Sequence, residues 1–136
     1  MQPSDDEHTA IDAKVPGQTV AVWAESLYLA NMLLLPGPPF LALLYLYSRH
    51  ARSQGGLAAC HLRQTLAGSL WAVALLGVAN AVIILLGGYD APSTWVVVIL
   101  YFVCCHSALV MLGMVGLAKA MSGQPFRYPV VGRPCT

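Results

Sequence analysis

The sequence predicts an all-α fold: an integral membrane bundle of three transmembrane helices. Three apolar stretches, residues 20–47, 62–87 and 94–120, are each long enough to cross a bilayer, because a spanning helix needs about 20 predominantly apolar residues. Of the 136 residues, 57% are hydrophobic and only 10% are charged, whereas a soluble domain carries about 25% charged residues. We therefore expect one membrane domain over residues 20–123, with no second folded unit.

Residues 1–19 are polar and acidic and are expected to form an N-terminal tail. No basic stretch precedes a short apolar core, so the start of the chain does not have the pattern of a cleavable signal peptide. The formal net charge of +1 argues against nucleic acid as a partner, since proteins that bind it present strongly basic surfaces.

The first span is interrupted near its middle by the segment Pro36–Pro39. Proline lacks the backbone N–H and clashes with the preceding helical turn, so we predict that this helix is kinked or broken there. A simple proline kink is the favoured interpretation. The alternative is a functional break that lines a site or pathway, as in the discontinuous helices of transporters.

The third span is bounded by clear signals at both ends. Asp90 to Thr94 supplies a turn and a candidate N-cap, and Gly123 followed by Pro125 is typical of a helix end. Residues 124–136 are therefore predicted to form an interfacial C-terminal segment.

The positive charges lie on one side of the three predicted spans. Cytoplasmic loops carry the Lys and Arg excess, and Lys14 is the one basic residue on the other side. We predict an outside N-terminus, a cytoplasmic C-terminus and a multi-pass location in the bacterial inner (cytoplasmic) membrane. The six residues on the basic side are Arg49, Arg52, Arg63, Lys119, Arg127 and Arg133.

Polar side chains inside spans are costly and mark functional candidates. Asn31, Asn80 and His106 could converge in an intramembrane polar network, with Glu25 nearer the outer end of the first span. Interhelical hydrogen bonding is the favoured interpretation, and a proton or substrate path is the alternative.

Metal and catalytic patterns are weak in this chain. Cys60-His61 and Cys104-Cys105-His106 resemble ligand pairs, but the two histidines would lie about 20 Å apart along the membrane normal at 1.5 Å per residue. The cysteines are therefore interpreted as small apolar side chains. The sequence contains no nucleotide loop, catalytic triad, zincin pattern or paired carboxylates, so we expect no enzyme activity, no cofactor and no metal, and we expect lipids at the surface.

The most specific local pattern runs from His61 through Arg63 and Gln64 to Leu66, at the start of the second span. Together with Pro36-Gly37-Pro38 and the segment from Ala118 to Pro129, it resembles a family of small bacterial membrane proteins of unknown function. That family is distantly related to the chloroplast inner-envelope import component Tic-twenty. The resemblance covers residues 21–133, and this chain departs from it at Ala67-Gly68, where members carry an Asn-Phe pair. The resemblance implies a fold rather than an activity and carries over His61, Arg63, Gln64, Gly123, Arg127, Tyr128 and Pro129.

These motif residues predict a structural lock between the second span and the C-terminal segment. His61, Gln64 and Thr65 share one helix face at spacings of three and four, and the segment after the third span leaves the membrane on the same side. The predicted lock comprises His61, Arg63, Gln64, Arg127 and Tyr128.

Two functions are compatible with these observations. The preferred one is a non-catalytic accessory subunit that packs against other integral membrane subunits of a larger bacterial complex of respiratory, photosynthetic or oxygenase type. The alternative is a homo-oligomeric transport or protein-translocation component, suggested by the broken first helix and the import-protein relation.

Overall fold

A computed structural model describes residues 14–50 and 56–135 as four helices without a strand. They are α1 (Gln18–Leu33), α2 (Pro38–His50), α3 (Leu57–Leu85) and α4 (Ser93–Met121). A π-helical stretch, Tyr101–His106, lies inside α4. The all-α prediction is confirmed for this part of the chain, whereas most of the predicted acidic tail and Arg52 lie outside it.

Helices α3 and α4 form an antiparallel pair joined by the short turn 86–92. Each has 29 residues, which gives a length of about 43 Å at 1.5 Å per residue, enough to cross a hydrocarbon core of about 30 Å. Their most apolar windows are only 22% and 11% buried. The core helix of a soluble protein would be mostly buried, so the exposure of these apolar surfaces agrees with a membrane environment.

The first predicted span is not a single helix. The break expected at Pro36–Pro39 is present, but it reverses the chain: α1 and α2 have 16 and 13 residues and form a hairpin. Leu43 of α2 packs against Ala24 of α1 and Leu62 of α3. The prediction of three spanning helices is therefore wrong, and two helices have the length and composition to cross a membrane.

Local chemistry explains the reversal. Gly37 has φ 121°, a conformation that glycine adopts without a steric penalty, and its N–H donates to Asn31 Oδ1 at 2.9 Å. Pro38 then opens α2, because proline at the first helical position loses no hydrogen bond. The tip reaches the middle of the α3–α4 pair, where Pro36 shares a cavity wall with Ala72 and His106.

The start of α1 lies beside the end of α4. Gln18 Nε2 donates to Met121 O at 2.6 Å, and Gly17 packs against Ala58 at the start of α3. We call this the basic end of the molecule, and the turn 86–92 the distal turn. The prediction that the two termini face opposite sides assumed three crossings, whereas Gln18 and Met121 lie at the same end of the molecule. Cytoplasmic placement of the C-terminal end stays a prediction. The described basic residues at the basic end are Lys14, Arg49, Arg63, Lys119, Arg127 and Arg133.

After α4 the chain turns back over the start of α3. Gly123, with φ 65°, ends the helix, and residues 124–135 lie as an irregular segment against the basic end, which we call the C-terminal segment. Its Tyr128 is fully buried. The largest fully buried side chains of the described residues concentrate here, and several are polar: Glu25, His61, Gln64, Thr65 and Tyr128.

Candidate functional site

A buried carboxylate forms the centre of the basic end. Glu25 of α1 is fully buried, as are its two partners His61 and Tyr128. His61 Nδ1 lies 2.7 Å from Glu25 Oε1, and the Tyr128 hydroxyl donates to Glu25 Oε2 at 2.5 Å. Three separate parts of the chain, α1, α3 and the C-terminal segment, therefore meet at one carboxyl group.

The second nitrogen of His61 binds the C-terminal segment. Nε2 lies 3.0 Å from Gln124 O, and a carbonyl can only accept, so Nε2 carries a proton. One further proton then lies between Nδ1 and Glu25 Oε1, on either atom. The imidazole thus ties the α1 carboxyl to the backbone of the C-terminal segment.

The environment keeps the Tyr128 phenol protonated. Burial, followed by the adjacent Glu25 carboxylate, raises the pKa of Tyr128 above its usual range. Its protonated hydroxyl is therefore the donor in the hydrogen bond to Glu25. The ring also lies at an angle to that of Tyr28, with the two centroids 5.9 Å apart.

Glycines in α4 admit the large side chains of α1. A Cβ at Gly116 would lie 2.6 Å from both Glu25 carboxylate oxygens, and one at Gly113 would lie 2.7 Å from the Tyr28 ring. The Tyr28 hydroxyl then reaches Leu109 O at 3.0 Å. Gly113 and Gly116 of α4 thus give the cluster its space.

Gln64 holds the C-terminal segment through both ends of its amide. Its Oε1 accepts from Tyr128 N at 3.3 Å, and its Nε2 donates to Arg133 O. Thr65, the third residue of the predicted face, bonds within its own helix to His61 O at 2.9 Å. His61 and Gln64 thus both bind backbone atoms of the C-terminal segment.

The remaining predicted lock residues lie nearer the surface. Arg127 is exposed, and Arg63 is half-buried in the wall of a small cavity with Tyr47 and Arg133. A disulfide between Cys60 and Cys135 joins α3 to the C-terminal segment across 75 positions. The interpretation of Cys60 as an apolar side chain missed this bond, because nothing in the spacing of the cysteines indicates a pair.

The structure does not join Asn31, Asn80 and His106 by hydrogen bonds. Asn31 caps the hairpin tip, Asn80 Oδ1 accepts from the Tyr89 hydroxyl at 2.6 Å, and the His106 ring packs 5.2 Å from that of Phe102. Asn31 and His106 do face one cavity of about 250 Å³, while Asn80 lines a neighbouring cavity of about 190 Å³.

Comparison with known families identifies the family of the chain. The model of the MamF_MmsF family, the magnetosome magnetite crystal formation protein family, matches residues 17–134. The chain belongs to this family. Comparison with curated proteins and with solved structures found no match. The resemblance to small bacterial membrane proteins is thereby made specific, whereas the distant relation to the import component Tic-twenty finds no support in these comparisons.

The family match covers the whole of the site described above. Both the hairpin that carries Glu25 and the C-terminal segment that carries Tyr128 fall within the matched range. Over residues 14–50 and 56–135, no three His, Cys, Asp or Glu side chains are grouped so as to hold a metal ion. In this member of the magnetosome family, the buried cluster joins three chain segments through groups that satisfy one another.

Proposed function

We propose that this member of the magnetosome magnetite crystal formation family is a non-catalytic accessory membrane protein. In this proposal it packs laterally against other integral membrane proteins of the membrane that surrounds the growing crystal. The family match over residues 17–134 is the observation that carries the assignment to crystal formation.

An uncovered apolar surface supports the packing role. The α1–α2 hairpin ends at the middle of α3 and α4, so the halves of these helices near the distal turn have no cover from the rest of the described chain. Exposed aliphatic and aromatic side chains there can contact lipid or the helices of a neighbour. They include Val78, Ile84, Leu85, Trp95, Val96, Ile99, Phe102 and Val103.

The closed chemistry of the buried cluster supports a non-catalytic role. Glu25, His61 and Gln64 are fully buried, and their polar atoms bond to one another or to the C-terminal segment. A catalytic group needs access to a substrate within hydrogen-bond reach. We therefore assign the cluster to fold stability.

Deletion of the gene in its magnetite-forming host tests the assignment. We expect crystals of altered size or shape by electron microscopy, with recovery when the wild-type gene is restored. Unchanged crystals would contradict a role in crystal formation.

A Glu25→Gln protein that is present at the wild-type level yet supports no crystal growth would contradict the non-catalytic role.

Site-specific photo-crosslinking tests the packing role. A photoreactive residue at Val96, which is exposed on α4, should capture other membrane proteins at fixed stoichiometry. The same residue at Val130, an exposed valine of the C-terminal segment, serves as the matched control. Crosslinks from Val96 to copies of this chain alone would contradict the accessory-subunit proposal.

A further inference from the structure

A lateral groove runs along α3 beside the C-terminal segment. Its main cavity has a volume of about 310 Å³ and continues into a smaller one of about 40 Å³. The two share Ala67, Leu70 and Arg133 in their walls. Leu70 and Trp71, which line the main cavity, are exposed apolar side chains of α3.

The groove changes from basic to apolar along its length. Arg63 and Arg133 line the part nearest the basic end, while Leu70, Trp71 and Ala74 line the part farther along α3. From Arg63 to Ala74 the rise along α3 is about 16 Å at 1.5 Å per residue. The part farther along α3 therefore lies within the apolar length of the helix, and the arginines lie near the start of that length.

The arginine wall is held in place by the buried cluster. Arg133 belongs to the C-terminal segment, and its carbonyl accepts from Gln64 Nε2. Two residues later, Cys135 is bonded to Cys60 of α3. Gln64 also binds the segment at Tyr128 N, so its amide holds the backbone on which Arg133 lies against α3 whether or not the disulfide is formed, and the groove is a built feature of the fold.

We propose that this groove binds one anionic phospholipid, with its phosphate at Arg133 and Arg63 and an acyl chain along Leu70, Trp71 and Ala74. Guanidinium groups bind phosphate oxygens in a bidentate manner, and basic pockets beside membrane helices bind anionic headgroups. The combination of two cations with an apolar floor matches a charged amphiphile better than an apolar partner helix. The inference depends on membrane association of the chain and not on its proposed role in crystal formation.

Trp71 provides a direct probe of the groove. The full-length protein with Trp23→Phe and Trp95→Phe retains Trp71 alone of the three tryptophans. It is reconstituted in phosphatidylcholine vesicles that contain, at equal mole fraction, brominated phosphatidylglycerol or brominated phosphatidylcholine. We expect Trp71 to prefer the anionic quencher roughly tenfold, the factor that 1.4 kcal/mol of a charge-assisted contact supplies.

Two arginine variants distinguish binding of phosphatidylglycerol in the groove from general electrostatic attraction of anionic lipid to the basic end. Arg133→Gln should reduce the preference for phosphatidylglycerol several-fold, whereas Arg127→Gln, an exposed arginine of the same segment outside the groove, should leave it unchanged. Equal quenching by both lipids, or equal losses in the two variants, would overturn the proposal. Protection of Trp71 from both quenchers would also overturn it, because a protein segment would then occupy the groove.

Discussion

Gly116 illustrates how one side-chain position controls the buried cluster. An alanine Cβ there would lie 2.6 Å from the Glu25 carboxylate oxygens, which cannot retreat because His61 and Tyr128 hold them. We expect Gly116→Ala to reduce the free energy of unfolding by about 1–3 kcal/mol, as overpacking commonly does. Thermal or denaturant unfolding in detergent micelles measures the change.

Gly77 of α3 provides the matched control. A Cβ at Gly77 meets nothing within 4 Å, so Gly77→Ala should gain about 0.5–1 kcal/mol from helix propensity alone. The same substitution is thus expected to act with opposite sign at the two glycines. Equal effects would show that the contact with Glu25 does not limit the space at Gly116.

The Tyr128 hydroxyl provides a second test of the buried cluster. Tyr128→Phe removes a donor from a buried carboxylate and should cost about 1–3 kcal/mol of stability. Tyr89→Phe removes a hydroxyl of similar geometry, which donates to Asn80 at 2.6 Å. Because Tyr89 is exposed, water can replace it, and the expected cost is within about 0.5 kcal/mol. Similar losses of stability from both variants in the unfolding assay would contradict the stabilisation of the buried Glu25 carboxylate by the Tyr128 hydroxyl.

The residues of the cluster differ in how far the sequence reveals them. Glu25 stands out as an ionisable group in an apolar stretch, and His61, Gln64 and Tyr128 belong to the motif that carries the family resemblance. Their pairing is not visible, because Glu25 meets partners 36 and 103 positions away. Contacts at such separations depend on the fold of the hairpin, whereas the hydropathy of the same residues predicts one span.

Hydropathy cannot distinguish a helical hairpin from a single spanning helix. Both bury apolar residues, and residues 20–47 have enough of them for either. The deciding features are short-range: the positive φ of Gly37, the Asn31 side chain that accepts its N–H, and the two prolines that restart the helix. The break that suggested a pathway instead closes a turn within the chain.

Spin-label distances test the hairpin. Labels at Thr19 and Ser48, which are 29 positions apart, would be separated by roughly 44 Å in one continuous helix. We expect a much shorter distance, because Val20 of α1 and Tyr47 of α2 pack against the same apolar cluster. Labels at Ser93, which opens α4, and at Ser122, which directly follows it, have the same sequence separation and should show the long distance. Equal distances for the two pairs would restore the three-span prediction.

The disulfide fixes one end of the C-terminal segment. In the oxidised, purified protein we expect Cys135→Ser to lower stability by about 2–5 kcal/mol, the usual range for loss of a native disulfide. Trypsin should then cleave faster after Arg127, because release of the segment exposes its backbone. Cys104→Ser, which removes an exposed free cysteine, is the control and should leave the cleavage rate unchanged. An unchanged rate in Cys135→Ser would mean that Gln64 and Tyr128 hold the segment without the bond.

The hairpin brings nearly all the positive charge of the molecule to one end. Lys14, which the three-span prediction placed opposite the other basic residues, now lies with them at the basic end. The distal turn carries Asp90 and neither Lys nor Arg. Since cytoplasmic loops carry the Lys and Arg excess, two crossings predict that the basic end faces the cytoplasm and the distal turn faces the opposite compartment.

The redox state of the cysteines follows from that orientation. Disulfides persist in oxidising compartments, whereas the cytosol keeps thiols reduced. A cytoplasmic basic end therefore predicts that Cys60 and Cys135 are thiols in the cell and join after extraction. Alkylation before lysis should block both cysteines, and a pair that resists alkylation until it is reduced would place the basic end in an oxidising compartment.

Cysteine accessibility decides the orientation directly. In a protein whose four native cysteines are replaced by serine, single cysteines are introduced at Thr19, Asp90 and Ser122. A membrane-impermeant maleimide applied to right-side-out vesicles should label Asp90→Cys at once, and Thr19→Cys and Ser122→Cys only after permeabilisation. Labelling of Thr19→Cys together with Asp90→Cys would require a third crossing, since the hairpin places Thr19 beside the end of α4. The reverse pattern, with Asp90→Cys alone protected, would keep the hairpin and invert the orientation, which separates the fold from the charge argument.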